Sequence, residues 1–145
     1  MNILQNDETL RRFIAAFEAG TYPKEEWTHE AHVIMAGWYW TEDATTAPER
    51  IKKQLLHYIA CQGIVTTKER GYHETLTQLW IRLSGAAIQE TTGPRLQRIR
   101  AVASRYGTDS KLHQRYYSYD VLRDPVARSQ WVPPDIGTIS ELPRP

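Results

Sequence analysis

The side chains best able to do chemistry are the five histidines, His29, His32, His57, His73 and His113. An imidazole titrates close to neutral pH, and in its neutral form it binds first-row metals through a ring nitrogen. A helix advances ~100° per residue, so each histidine can be placed on a wheel. Through residues 29–41, His29 and His32 fall inside the apolar sector of Val33, Met35, Ala36, Tyr39 and Trp40. Through residues 72–88, His73 falls beside Trp80, next to the stripe of Leu76, Leu79, Leu83 and Ala87. Three imidazoles thus face the interior, each at the start of a helix. Desolvation and the positive end of the helix dipole both oppose protonation there. Three neutral imidazoles with a fourth position open is the plan of a catalytic zinc site, where bound water reaches a pKa of about 7. The expectation is therefore a divalent metal ion held by His29, His32 and His73. Zinc is the first choice, and the same ligands also suit iron, copper or manganese. His57 falls away from the stripe of Ile51, Leu55, Tyr58 and Ile59 and reads as a surface residue. The helix around His113 is too short to place it.

A metal hydrolase also needs a proton acceptor, and Glu74, directly after His73, is the candidate. The same residue in a first helical turn would equally serve the helix dipole. Arg115, Tyr116 and Tyr117 could bring a guanidinium and phenol hydroxyls to a substrate, and Trp80 could supply an aromatic wall. Aromatics at helical spacing also make ordinary core. His29-Glu30-Ala31-His32 is not the zincin motif, which places two residues between its Glu and second His. A carboxylate-bridged di-iron bundle requires two Glu-x-x-His pairs, and only Glu26-Trp27-Thr28-His29 has that spacing here. Cys61, the one cysteine, is isolated, and neither a glycine-rich phosphate loop nor a nucleophile elbow is present.

The elements that must carry these residues read as helices. Leu10, Phe13, Ile14 and Phe17 make an amphipathic stripe, with Asn6 or Asp7 as cap and Gly20 as stop. Thr28 caps the helix over 29–41. Thr46-Ala47-Pro48-Glu49 has the form of a capping box ahead of the third helix. The fourth runs over 72–88, and Gly93-Pro94 opens a fifth that ends before Gly107. Short helices follow around 112–117 and from Asp124-Pro125 to Trp131. The fold expectation is all-α, a bundle of four main helices with two or three short extras. Residues 1–132 form a single domain, and 133–145, rich in proline, form an irregular tail.

With 145 residues, 41% of them hydrophobic, one globular domain is expected. No apolar run suits a membrane span, the first residues lack a signal-peptide plan, and a single cysteine fits a reducing cytoplasm. The net charge of +1 gives no reason to expect nucleic acid. Residues 95–128 nevertheless hold eight Lys/Arg against three Asp/Glu, a surface that would favour an anionic substrate.

Two resemblances follow from the motifs. Trp27-Thr28-His29-Glu30-Ala31-His32, Gly71-Tyr72-His73-Glu74-Thr75 and Tyr116-Tyr117-Ser118 are similar to segments of a group of small uncharacterised bacterial proteins. That likeness implies one structural unit and no particular activity. More loosely, three histidines on two helices resemble the DinB-like bundle, which implies a metal-binding helical architecture; here the histidine pair comes first, and its spacing is shorter. Three function classes remain open. The first is a metal-dependent hydrolase acting on a small phosphoester, ester or amide. The second is a mononuclear iron or copper oxygenase with the same ligands. The third is a metal-free module binding a small molecule. A homodimer is compatible with all three.

Overall fold

A computed structural model describes residues 2–137. The described residues are helical and contain no strand. The long elements are α1 (Asp7–Ala19), α2 (His29–Glu42), α3 (Ala47–Cys61), α4 (Glu74–Gln89) and α5 (Arg95–Tyr106). A five-residue α6 (Pro125–Ser129) and three 3-10 turns, Lys24–Glu26, Leu112–Arg115 and Val121–Arg123, complete the set. The all-α bundle expected from the sequence is what forms, with five helices of 12 residues or more in place of four.

Local chemistry explains most of the boundaries. Asn6 accepts the Thr9 N–H at 2.9 Å while Thr9 Oγ1 accepts the Asn6 N–H at 3.1 Å, a reciprocal cap for α1. Gly20 ends that helix in the left-handed region, at φ 77°. Thr28 caps α2 by accepting the Ala31 N–H at 3.2 Å. The capping box expected at Thr46 does not form. Thr46 Oγ1 turns back to the Asp43 carbonyl at 3.4 Å, and Pro48 in the first turn leaves fewer amides to satisfy. The α4 boundary differs in a way that matters for the site: α4 starts at Glu74, and His73 is its N-cap, with extended dihedrals φ −130° and ψ 108°.

Helix α2 is the central rod. It packs against α3, α4 and α5, and α1 lies on α3. From Ala31 to Trp40 only His32 escapes full burial. The tightest approach is between α2 and α4, where a Cβ built on Gly85 would meet the Trp40 ring at 2.5 Å. That ring is also held by its Nε1, which donates to the Ile81 carbonyl at 2.9 Å.

After α5 the chain folds back across α4. Thr75 Oγ1 donates to the Gln130 carbonyl at 2.8 Å and accepts the Val132 N–H at 3.0 Å. Tyr117 donates to the Val132 carbonyl at 2.6 Å, and Arg82 lies 4.3 Å from the centre of the Trp131 ring. Residues 133–137 have no regular structure, and the rest of the expected tail, 138–145, lies outside the described residues. No helix among the described residues is long and apolar enough to cross a membrane.

Candidate functional site

The starts of α2 and α4 and the returning chain enclose a cavity of ≈ 370 Å³. Four of the five histidines, His29, His32, His73 and His113, line it. Trp80 forms part of the wall, with Val33, Met35, Leu55, Leu76 and Ile81 supplying apolar surface. Exposed Gly71, Ser110 and Leu122 mark where it meets solvent. None of its lining residues is Asp, Glu, Lys or Arg.

The hydrogen bonds of each imidazole decide what it can offer. His29 Nε2 lies 2.9 Å from the Tyr106 carbonyl, and its ring meets the edge of Trp80 with centroids 4.5 Å apart. A carbonyl only accepts, so Nε2 carries the proton and Nδ1 keeps its lone pair. His32 is the mirror case. Its Nδ1 lies 2.8 Å from the Thr28 carbonyl, so Nε2 keeps the lone pair, and the ring packs on Trp27 at 4.2 Å. His73 is different. Its Nδ1 accepts the Leu76 N–H at 3.1 Å, and its Nε2 donates to the Val121 carbonyl at 2.9 Å. Both nitrogens are committed to the fold, one to starting α4 and one to anchoring the returning chain.

Burial holds these rings neutral. Desolvation pushes His32 down to about 4, against the opposing pull of the Thr28 carbonyl and with a small further push from His29. Desolvation also lowers His29, although the Tyr106 carbonyl and Asp109 raise it in part. His73 is lowered by burial first, with Arg128 and His113 adding to it against the Val121 carbonyl and Asp124.

The donor set does not fit the metal ion expected from the sequence. His73 has no nitrogen lone pair left for an ion, because the cap geometry uses it. Among the described residues, no three His, Cys, Asp or Glu side chains are grouped so that they could hold a metal ion. The wheel that made His73 a ligand assumed a helix already under way at 72, and the cap turns the ring onto its own backbone instead.

The other candidates separate. Trp80 lines the cavity as expected. Glu74 does not; it faces a neighbouring groove with Lys52, Thr66, Lys68 and Arg128. Glu74 accepts from the Tyr72 hydroxyl and pairs with Lys52 at 2.9 Å. Burial pushes its carboxyl up, but Tyr72, Lys52 and Gln78 together hold it below the usual range, which makes it a poor proton acceptor. Tyr116 and Tyr117 are buried and hold the returning chain: the Tyr116 carbonyl accepts the Ile136 N–H at 3.1 Å. Arg115 is exposed and is not among the residues that line the cavity. His57 is exposed, as its wheel position implies, 3.5 Å from Cys61 Sγ through Nε2.

No family model, no curated protein and no solved structure matches this chain. The reading of the cavity therefore rests on its own chemistry.

His113, which the sequence left unplaced, reaches the cavity from the 3-10 turn Leu112–Arg115, and Ser84 was not singled out at all. Ser84 is fully buried, and its Oγ has no hydrogen-bond partner. A signal for Ser84 existed: Thr77, Trp80 and Ser84 recur at i, i+3 and i+7, a polar-aromatic line down one face of α4.

Proposed function

We propose that this protein binds a small, mainly apolar molecule in the cavity between the starts of α2 and α4. The observation that carries the reading is the cavity itself, ≈ 370 Å³, walled by apolar side chains and four imidazoles with no Asp, Glu, Lys or Arg. The volume lies in the range of small-molecule sites, and apolar walls with a few polar groups are their usual composition. The metal-dependent hydrolase and the oxygenase both require an ion that this donor set does not suit.

The test is thermal unfolding of protein made without a histidine tag, against uncharged bicyclic aromatics and against zinc, iron, copper and manganese. A ligand at 100-fold its Kd adds ~2.7 kcal/mol, a rise of about 5–10 °C for a chain of this size. The expected outcome is a rise with aromatics, none with metals, and loss of the aromatic effect in Ser84→Leu, whose side chain fills the cavity while circular dichroism stays helical. Stoichiometric metal that disappears in His29→Ala and His32→Ala would overturn the proposal.

A further inference from the structure

The cavity also carries information about the class of its ligand. We infer that its occupant is an uncharged molecule presenting an O–H or N–H donor to the lone pairs of His29 and His32. This deepens the binding reading and rests on it.

Three observations support the inference. The tautomers of both imidazoles are set by backbone carbonyls, those of Tyr106 and Thr28, so in each of these two lining rings the remaining nitrogen is an acceptor and carries no N–H. Both rings are also wedged against indoles, Trp80 and Trp27, which restricts the ring flips that would exchange donor for acceptor. The lining contains no Lys or Arg to receive an anion and no Asp or Glu to receive a cation. An ion entering such a space loses its hydration without compensation. The Ser84 hydroxyl adapts to either polarity and so does not select. The selection comes from the imidazoles, and it opposes the anionic substrate that the basic stretch 95–128 suggested. Those basic side chains lie elsewhere: Arg98 bonds the Ile88 carbonyl, Arg100 the carbonyls of Leu4 and Gln5, and Arg105 pairs with Glu90.

Four probes of one shape decide the matter, measured by calorimetric titration of the full chain at neutral pH. They are naphthol, its methyl ether, the corresponding naphthoate and a naphthylmethylammonium. Naphthol is expected to bind about tenfold tighter than the ether, the value of a buried hydrogen bond, and tighter than either ion by more. In His32→Leu the naphthol-to-ether ratio is expected to fall towards one while the ether still binds. Ether binding equal to naphthol overturns the donor assignment and leaves the binding reading standing. Tighter binding of naphthoate or the ammonium overturns the neutrality. Binding of none of the four overturns both.

Discussion

His73 shows how one residue can look catalytic and be structural. A histidine next to a helix start is a ligand candidate when the helix already includes it, and a cap when the helix begins one residue later. The difference lies in the backbone dihedrals of one residue, and the periodicity of Leu76, Leu79 and Leu83 is the same in both cases. This is why the role of His73 was not legible from the sequence. His73→Ala is expected to lower unfolding free energy by about 1–3 kcal/mol, through loss of the cap and of the Val121 bond. His73→Asn, which can still accept the Leu76 N–H, should recover part of the loss in a urea titration. Ser84 makes the opposite prediction. Ser84→Ala removes a buried hydroxyl without a partner and improves helix propensity, so the free protein should gain about 1 kcal/mol. Unchanged or lower stability by the same titration would show that the hydroxyl is satisfied after all.

At the scale of elements, most helices were legible because only one of their faces is buried. In α1, Leu10, Phe13, Ile14 and Phe17 are its buried residues, and those are the residues its stripe names. Helix α2 is the exception. Buried on nearly every side by α3, α4 and α5, it has no polar face against which a wheel could sort His29 and His32. Their inward placement follows from the position of α2 in the bundle more than from their angular position. Such a central helix depends on close approaches that no periodicity reveals, above all Gly85 against Trp40. Gly85→Ala would ordinarily stabilise a helix interior. Here the new methyl lands on a ring fixed by its bond to the Ile81 carbonyl, so α2 and α4 must separate. The expected cost is about 1–3 kcal/mol. It should appear as a lower urea midpoint with an unchanged slope, and a gain in stability would mean that the Trp40 ring can move aside.

Across the whole molecule, the buried imidazoles should make stability depend on pH in a window that the carboxylates leave clear. An unfolded histidine titrates near ~6.5, whereas burial pushes His32 down to about 4 and lowers His29 and His73 as well. Between those limits the unfolded chain binds protons that the folded chain refuses. Stability is therefore full above about pH 6.5 and falls as the solution is acidified towards 4. The depressed carboxylates, Glu74, Asp43 and Asp135, act in the same direction but only below their unfolded values, ~4.5 and lower. A decline between pH 6.5 and 5 thus belongs to the imidazoles. For His32 the whole fall towards pH 4 amounts to roughly 2 kcal/mol once the share of its ring that the cavity leaves in reach of water is discounted. Urea titrations at half-unit pH intervals should show this slope in the parent protein and a shallower one in His32→Leu, with the two curves parallel above pH 7. If both proteins hold the same slope, or the parent is flat down to pH 5, then His32 is protonated inside the fold. In that event the acceptor pair at the cavity wall, on which the choice of an uncharged, donor-bearing ligand depends, stands only above about pH 6.5 and is lost on acidification.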